Sequence, residues 1–182
     1  MTKTSAPVLH TERLVLRGHQ ETDFEACVAL WSNPVVTRYT TGQPVAPQDV
    51  WTRLLRHLGH WMLFGFGYWL VFERSTGRCV GEMGIARFKR DVLKDHAVLD
   101  PLPEAGWVLM PWAHGQGFAL EALGAILQWR DLNLSQGDTF CLIDPANMPS
   151  LRLAAKVGFQ PYLKIDSNDK PVEVLLRRGR SP

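Results

Sequence analysis

One stretch, residues 104–122 (EAGWVLMPWAHGQGFALEA), constrains the fold and the chemistry of this chain more than any other. It has the pattern of a buried strand, a Pro-Trp break, a Gly-x-Gly turn and the start of a helix with periodic apolar residues. A glycine turn at a helix N-terminus presents backbone N–H groups and the positive end of the helix dipole, and it lets a phosphate approach closely. The stretch therefore predicts a binding site for a phosphate-bearing ligand.

The rest of the chain alternates strand-like and helix-like segments, without a repeat, a low-complexity segment or a linker. The order β-α-α-β-β-β-α-β-α-β-β predicts an α+β (mixed α/β) fold. We expect a mixed, mostly antiparallel sheet of about six to seven strands, with helices on both faces and one parallel crossover around the central helix. We also expect a single domain over 1–182, with a core at about 9–177 and short flexible termini. The strand pattern occurs at 12–17, 68–73, 79–87, from 104, and at 139–143, 159–165 and 172–177; the helix pattern occurs at 22–31, 48–64, from 118, and at 149–157.

The second helical segment, 48–64, carries apolar residues at helical spacing along one side. Arg53, Arg56, His57 and His60 fall on the other side, and we expect this charged face to be solvated. Two further segments, 35–47 and 88–103, are rich in polar and turn residues, and both are predicted to be loops.

Composition excludes several classes of protein. With 182 residues, 46% hydrophobic and 21% charged, the chain has an ordinary globular composition, and a formal charge of +2 is too small to indicate a nucleic-acid partner. Its three cysteines are far apart and have no metal-ligand spacing, so we predict buried structural thiols and no metal site. The N-terminal segment lacks the apolar core of a signal peptide, and no window is long and apolar enough to span a bilayer. These features predict a cytoplasmic protein without a membrane partner.

Three kinds of glycine turn could bind the predicted phosphate. A Walker A loop is excluded because no Lys-Ser or Lys-Thr follows the glycines. A dinucleotide-binding fingerprint is disfavoured because Leu120 occupies its third glycine position and hairpins precede the turn. The third kind is the acyl-coenzyme A loop, Gln/Arg-x-x-Gly-x-Gly/Ala, of the GNAT superfamily of N-acetyltransferases. Residues 114–119, HGQGFA, resemble it, with His114 in the place of the usual Gln or Arg.

Separate segments strengthen this resemblance, which covers roughly residues 9–177 with the segments in the same order along the chain. They are similar to the branch that contains the ribosomal-protein alanine N-acetyltransferases. The matching segments are Thr11 to Arg17 (TERLVLR), Glu104 to Leu109 (EAGWVL) before Pro111, Phe118 to Ala122 (FALEA), Asn147 to Ser150 (NMPS) and Ala155 to Phe159 (AKVGF).

The resemblance implies a GNAT-like fold and an enzyme that transfers an acetyl group from acetyl-coenzyme A to a primary amine. The phosphates would be held by the backbone N–H groups of Gly115, Gln116, Gly117, Phe118 and Ala119, with His114 beside them. The resemblance further implies that backbone groups of Val108, Leu109 and Met110 contact the pantetheine arm, one N–H group stabilising the oxyanion.

Acid catalysis can be assigned in two ways. The resemblance gives Asn147 a contact with the coenzyme arm and makes Ser150 the general acid near the sulfur, while Tyr162 is a second candidate for the acid. Asn147 is also a good N-cap for the helix that follows, and one side chain can serve both purposes.

Two carboxylates and a water relay are the alternatives for the general base. Glu82 and Glu104 lie on neighbouring predicted strands in apolar surroundings that can raise the pKa of a carboxyl group. Asp95 and His96, in the loop at 88–103, are weaker candidates.

The acceptor is expected near the loop at 35–47, and Arg38, Tyr39 and Trp69 are the residues predicted to contact it. It would be a protein N-terminus or a small-molecule amine, and the protein would be a monomer or homodimer. The alternative function is an acyl-coenzyme A sensor of the same fold without turnover.

Overall fold

The computed structural model describes residues 5–134, 137–167 and 170–179. The chain forms two compact units. The first contains the residues up to 84 together with 107–125, and the second contains 85–106 together with the residues from 126 onward. Each unit has a hydrophobic core of its own.

Eight strands form one mixed sheet, which confirms the predicted fold class and exceeds the expected strand number by one. The additional strand is β1, only two residues long, which pairs with β2 through Leu9 and Leu16. The order in the sheet is β1-β2-β3-β4-β5-β6-β8-β7. The strands are β1 (Leu9–His10), β2 (Leu14–Arg17), β3 (Tyr68–Glu73), β4 (Cys79–Ala86), β5 (Glu104–Leu109), β6 (Thr139–Ile143), β7 (Gln160–Ser167) and β8 (Lys170–Arg177).

In the first unit the pairs β1–β2, β2–β3 and β3–β4 are antiparallel. The β3–β4 hairpin closes at the predicted Ser-Thr-Gly turn, where the Glu73 N–H donates to Arg78 C=O. The register shifts between Val71 and Phe72, and Leu70 then lies directly opposite Glu82. Directly opposed residues share a face of the sheet, so the Glu82 side chain points to the same side as Leu70.

Three helices, α1 (Phe24–Trp31), α2 (Pro34–Thr37) and α3 (Pro47–Phe64), lie between β2 and β3. The short α2 is a correction to the loop predicted at 35–47. It forms because Pro34 fits the first helical turn and the Asn33 side chain accepts a hydrogen bond from the Val35 N–H.

The buried face of helix α3 includes one edge of its apolar arc and extends beyond it to two histidines. The row Val50, Leu54, His57 and Trp61 is buried, and His60 is buried as well. The expectation that His57 and His60 belong to a solvated face was therefore wrong. Several apolar side chains of the same helix are exposed instead, because a wide apolar arc does not by itself define which edge meets the core. These are Trp51, Leu55, Leu58, Met62, Leu63 and Phe64.

The core of the first unit joins α1 and α3 to the strand β3. Its buried members are Cys27, Leu30, Trp31, Val36, Val50, Leu54 and Leu70. Burying an aliphatic side chain of this kind contributes roughly 1.5–3 kcal/mol, so this cluster fixes the helices against the strand.

The second unit contains a parallel pair and two antiparallel pairs. β5 runs parallel to β6, as the crossover through α4 (Phe118–Asn133) predicted, while β6–β8 and β7–β8 are antiparallel. Helix α5 (Met148–Lys156) follows β6. Strands β7 and β8 extend further than predicted, and the loop at 88–103 contains a short 3-10 helix, Asp91–Leu93. The buried core consists of Leu93, Leu99, Phe140, Ile165, Val174 and Leu176.

Among the described residues, no helix combines the length and the apolar character that crossing a membrane requires.

Candidate active site

The predicted strand–turn–helix forms as expected. β5 ends at Leu109, a 3-10 turn covers Pro111–Ala113, and α4 begins at Phe118. Gly115 and Gly117 have φ values of 74° and 81°, in the left-handed region that favours glycine. The segment 114–117 is exposed, so a ligand can reach its backbone.

The turn presents a row of five backbone N–H groups without protein acceptors. Within the described part of the chain, none of the N–H groups of residues 115–119 donates to another protein atom. The first intrahelical bond nearby runs from the Glu121 N–H to Gly117 C=O at 3.1 Å. Unpaired N–H groups at the start of a helix bind an anion well, and the helix dipole adds to that attraction. The residues predicted as the phosphate cradle are thus brought together in a suitable arrangement.

Arg13 also lies in this region, although the sequence did not mark it as a site residue. Its Nε lies 2.7 Å from Glu121 Oε2, and its NH1 group donates to the Gln116 carbonyl at 2.9 Å. The guanidinium also lies over the Phe118 ring, 4.6 Å from its centre. A Cβ added to Gly117 would be 3.3 Å from Arg13 NH2, so the cation borders the turn directly. Arg13 is 108 positions from Glu121, and no local pattern marks such a pair.

His114 points back to the strand. Its Nε2 lies 3.2 Å from the Leu109 carbonyl, where it acts as the donor. The Gln116 side chain is also engaged locally, donating to Trp112 C=O at 2.6 Å. Arg13 therefore supplies a permanent positive charge beside the turn, where His114 replaces the usual Gln or Arg.

The strand before the turn is held close to β4. The Met110 N–H donates to Val80 C=O at 2.9 Å, so this group already has an acceptor. A Cβ on Gly81 would lie 2.1 Å from Val108 O and 2.9 Å from Leu109 Cα, and only glycine permits this approach. Val108 and Leu109 are half-buried, at the strand end that leads into the turn.

Asn147 and Ser150 belong to the second unit, at the start of α5. The Asn147 side chain caps the helix by accepting from the Ser150 N–H at 3.2 Å, as the capping interpretation predicted. Both side chains are half-buried. Tyr162, the second candidate for the acid, is on β7 and is 44% exposed.

Glu104 is buried and paired. Arg90 contacts both of its carboxylate oxygens, with Nε–Oε2 and NH2–Oε1 distances of 2.5 and 2.6 Å. A bidentate arginine pair of this kind stabilises the ionised carboxylate and holds both oxygens. The Glu104 carboxylate is therefore buried, as its apolar surroundings predicted, and it is held in an ion pair.

Glu82 is at the centre of a buried polar cluster that the sequence did not predict. Its side chain is 1% exposed. His19 Nε2 lies 3.0 Å from Oε2, His57 Nε2 lies 3.0 Å from Oε1, and the Trp31 indole N–H donates to Oε2 at 3.4 Å. The His57 ring stacks between those of His19 and Tyr68, with ring centres 4.7 and 4.9 Å away.

The cluster holds Glu82 as a carboxylate. Burial acts to raise the pKa of Glu82, but the attraction of His57 and the hydrogen bonds from both imidazoles outweigh it and keep the pKa well below its usual range. Burial lowers the pKa of His57 to about 4, so at neutral pH this ring is an uncharged donor. A deeply buried carboxylate with three donors is a weak base toward an outside amine.

The residues predicted to contact the acceptor differ in exposure. Arg38 is exposed and stacks over the half-buried Tyr39 at 5.0 Å, so both can meet a ligand. Trp69 is fully buried, donates to Pro7 C=O at 2.8 Å and packs edge-on against Trp61. Trp69 is therefore a core residue without a surface for a substrate.

Known proteins place this arrangement in a family. A family model described as the acetyltransferase (GNAT) domain matches residues 13–160. The uncharacterised protein YkkB of Bacillus subtilis (strain 168) is 27% identical over 177 residues, covering 94% of this chain and 95% of that protein.

Solved structures agree. A Bordetella pertussis protein described as a putative GNAT-family acetyltransferase has a TM-score of 0.83 and 27% identity, over 94% of this chain and 99% of that one. A spermidine N-acetyltransferase from Vibrio cholerae, solved with coenzyme A and spermine, has a TM-score of 0.73 over 93% of this chain and 97% of that one; at 15% identity it supports the fold alone. The chain belongs to the GNAT acetyltransferase family.

Proposed function

We propose that this protein transfers the acetyl group of acetyl-coenzyme A to the primary amine of a protein N-terminus or of a small molecule. The observation that carries the proposal is the row of unpaired N–H groups at residues 115–119, beside the Arg13 guanidinium. Such a row suits the pyrophosphate of coenzyme A, because several short N–H contacts and one permanent cation can share its negative charge. The Vibrio cholerae structure that shares this fold was itself solved with coenzyme A.

The chemistry requires a neutral amine and a polarised thioester. A free α-amine has a pKa of about 8 and a lysine side chain of about 10, so the protonated acceptor amine must lose a proton before it attacks. Attack forms the C–N bond, moves negative charge onto the thioester oxygen, and then breaks the C–S bond. The amine proton goes to water or a base, and the thiolate takes a proton from an acid.

Among the residues of this chain, Val108 or Leu109 supplies the oxyanion donor in this proposal, because the Met110 N–H is already bound to Val80 C=O. Ser150 is the proposed acid and Tyr162 the second candidate, while Asn147 holds the coenzyme arm and caps α5. The Nδ2 group of Asn147 donates to no described residue, which leaves it for a ligand.

A water relay is the proposed route for the amine proton. Glu82 and Glu104 are both buried, and both have their carboxylate oxygens occupied by protein donors. Neither carboxylate is positioned to take a proton from an amine that approaches from solvent.

Coenzyme A binding by the purified protein, measured by calorimetry, tests the donor. Gly117→Glu places a carboxylate in the turn beside the five N–H groups and should abolish binding. Gly77→Glu is the matched control, since Gly77 also has a positive φ (70°) and open space around it but lies in the β3–β4 turn. Unchanged affinity in Gly117→Glu would refute the position of the cradle.

Thiol release from acetyl-coenzyme A across peptides, polyamines and aminoglycosides tests the transfer. Peptides with blocked N-termini and no lysine are the negative control. Release with one class of amine identifies the acceptor class. Tight coenzyme A binding without release on any acceptor would instead identify the acyl-coenzyme A sensor.

A further inference from the structure

The buried cluster around Glu82 contains a set of metal-ligating atoms that the proposed acetyl transfer does not use. One nitrogen of His19, the Sγ of Cys27 and one carboxylate oxygen of Glu82 lie within 4.8 Å of one another. All three residues are buried and belong to the first unit. We propose that His19, Cys27 and Glu82 form a binding site for a divalent cation of the zinc type.

The distances between the three ligand atoms suit such an ion. Because the atoms are at most 4.8 Å apart, one point lies within about 2.8 Å of all three. Zinc bonds to nitrogen, oxygen and sulfur are about 2.0–2.3 Å long. A contraction of roughly half an ångström brings the three donors to bonding distance. Imidazole, thiolate and carboxylate are also the three side-chain ligands that zinc uses.

The ring nitrogen of His19 that faces the carboxylate is Nε2, which lies 3.0 Å from Glu82 Oε2. An ion bound there would take the Nε2 lone pair, and the ring hydrogen would be on Nδ1. Nδ1 is buried without a hydrogen-bond partner among the described residues, so no acceptor fixes the hydrogen on either nitrogen in advance.

Charge favours a cation at this place. Glu82 is a buried carboxylate, and its donors among the described residues are two imidazoles and an indole, with no lysine or arginine among them. Cys27 is a neutral thiol in the absence of metal, since burial raises its pKa to about 12. A divalent ion would take the place of the thiol proton, which leaves to solvent, and the ion, the thiolate and the carboxylate would together be neutral.

The surroundings would hold the ligands in place. His57 Nε2 lies 3.0 Å from Glu82 Oε1 and can fix that carboxylate from the outer shell, or move to the fourth position. Stacking of His57 against His19 restricts both rings. Because the ligands are buried, the ion would be acquired as the chain folds.

Refolding the full-length protein tests the site without any acetyltransferase assay. The protein is unfolded with a chelator present, refolded with Zn²⁺ or with Co²⁺, and freed of loose metal by gel filtration. We expect an equimolar amount of bound zinc by elemental analysis. We also expect a thiolate-to-cobalt charge-transfer band in the near ultraviolet and release of the Cys27 proton during titration.

Variants separate this site from other thiols. Cys27→Ser should lose the cobalt band and weaken metal affinity by on the order of a hundredfold or more, as expected for a ligand rather than an outer-shell residue. Cys141→Ser, at a thiol buried in the second unit, should keep the cobalt band and the metal affinity of the wild-type protein. Substoichiometric zinc and no charge-transfer band in the wild-type protein would overturn the proposal. A band of equal strength in Cys27→Ser would do the same.

Discussion

Arg13 and Glu121 are joined by an ion pair of 2.7 Å between Arg13 Nε and Glu121 Oε2, which ties the segment before β2 to the first turn of α4. The Arg13 backbone N–H and the Thr11 hydroxyl also donate to Glu121 Oε1, at 2.8 and 2.6 Å. Burial raises the pKa of Glu121, yet the bonds from Thr11 and Arg13 outweigh it and leave that pKa below its usual value. With its Nε group bonded to Glu121, the Arg13 guanidinium donates through NH1 to Gln116 C=O, beside the glycine turn.

The first prediction concerns Arg13. Arg13→Ala removes the permanent cation beside the turn and the bond to Gln116 C=O, so we expect coenzyme A affinity to fall by roughly tenfold to a hundredfold, the range of a charge-assisted hydrogen bond. Isothermal titration calorimetry at low salt measures the change. Arg74→Ala is the control, because Arg74 donates to the carbonyls of Thr11 and Glu12 in the same segment but makes no contact with the turn. An equal loss in both variants would mean that general surface charge, not Arg13, attracts the coenzyme.

The second prediction separates the two candidates for the general acid. Ser150→Ala keeps the helix cap, since Asn147 is bonded to the backbone N–H of residue 150, and it removes only the hydroxyl. We expect kcat to fall roughly a hundredfold, within the usual range for acid catalysis, with coenzyme A affinity little changed. Tyr162→Phe should leave kcat unchanged. The reverse result would make Tyr162 the acid.

The third prediction concerns the buried carboxylate. Glu82→Gln replaces a carboxylate that accepts three hydrogen bonds by an amide, whose NH₂ group would face a histidine N–H. We therefore expect the free energy of unfolding to fall by about 3 kcal/mol. Urea unfolding with a chelator present measures it without any contribution from metal. Glu25→Gln, at an exposed position on α1, should change stability by less than about 0.5 kcal/mol. A small effect at Glu82 would indicate that the two histidines do not depend on its charge.

The fourth prediction is a pH dependence in the second unit. Arg177 holds Asp131 by two bonds of 2.6 and 2.9 Å, and these bonds lower the pKa of Asp131 from its ordinary value of 3.8. The stability that the pair provides is present above the unfolded-state pKa and is lost as pH falls through the lower folded-state pKa. Asp131→Asn should therefore cost about 2 kcal/mol at pH 7 and progressively less below about pH 4.

Denaturant unfolding of wild type and Asp131→Asn at several pH values checks this dependence. Asp100→Asn removes the partner of Lys89 in an exposed pair, where solvent screens the attraction, and should cost less than about 1 kcal/mol at any pH. A cost for Asp131→Asn that stays constant down to pH 2 would show that the carboxylate charge is not what stabilises the pair.

Local patterns were sufficient for the order of elements and for the turn. Each depends on residues close in sequence, such as the Pro-Trp break, the two glycines and the apolar period of α4. The capping role of Asn147 was accessible for the same reason. The error at α3 has the opposite cause, since His57 and His60 are buried by partners that the helix pattern does not contain.

Neighbouring residues are enough to specify the glycine turn at 115–119 and the motifs that resemble GNAT proteins, because a helix start, a left-handed glycine and a strand end are each encoded locally. The pairing of distant charges depends instead on the tertiary fold. It brought Arg13 to the turn from 103 positions away, and it placed His19 and His57 on Glu82 across 63 and 25 positions. Long-range pairs of this kind depend on strand register and helix packing, and neither can be predicted from a local sequence pattern.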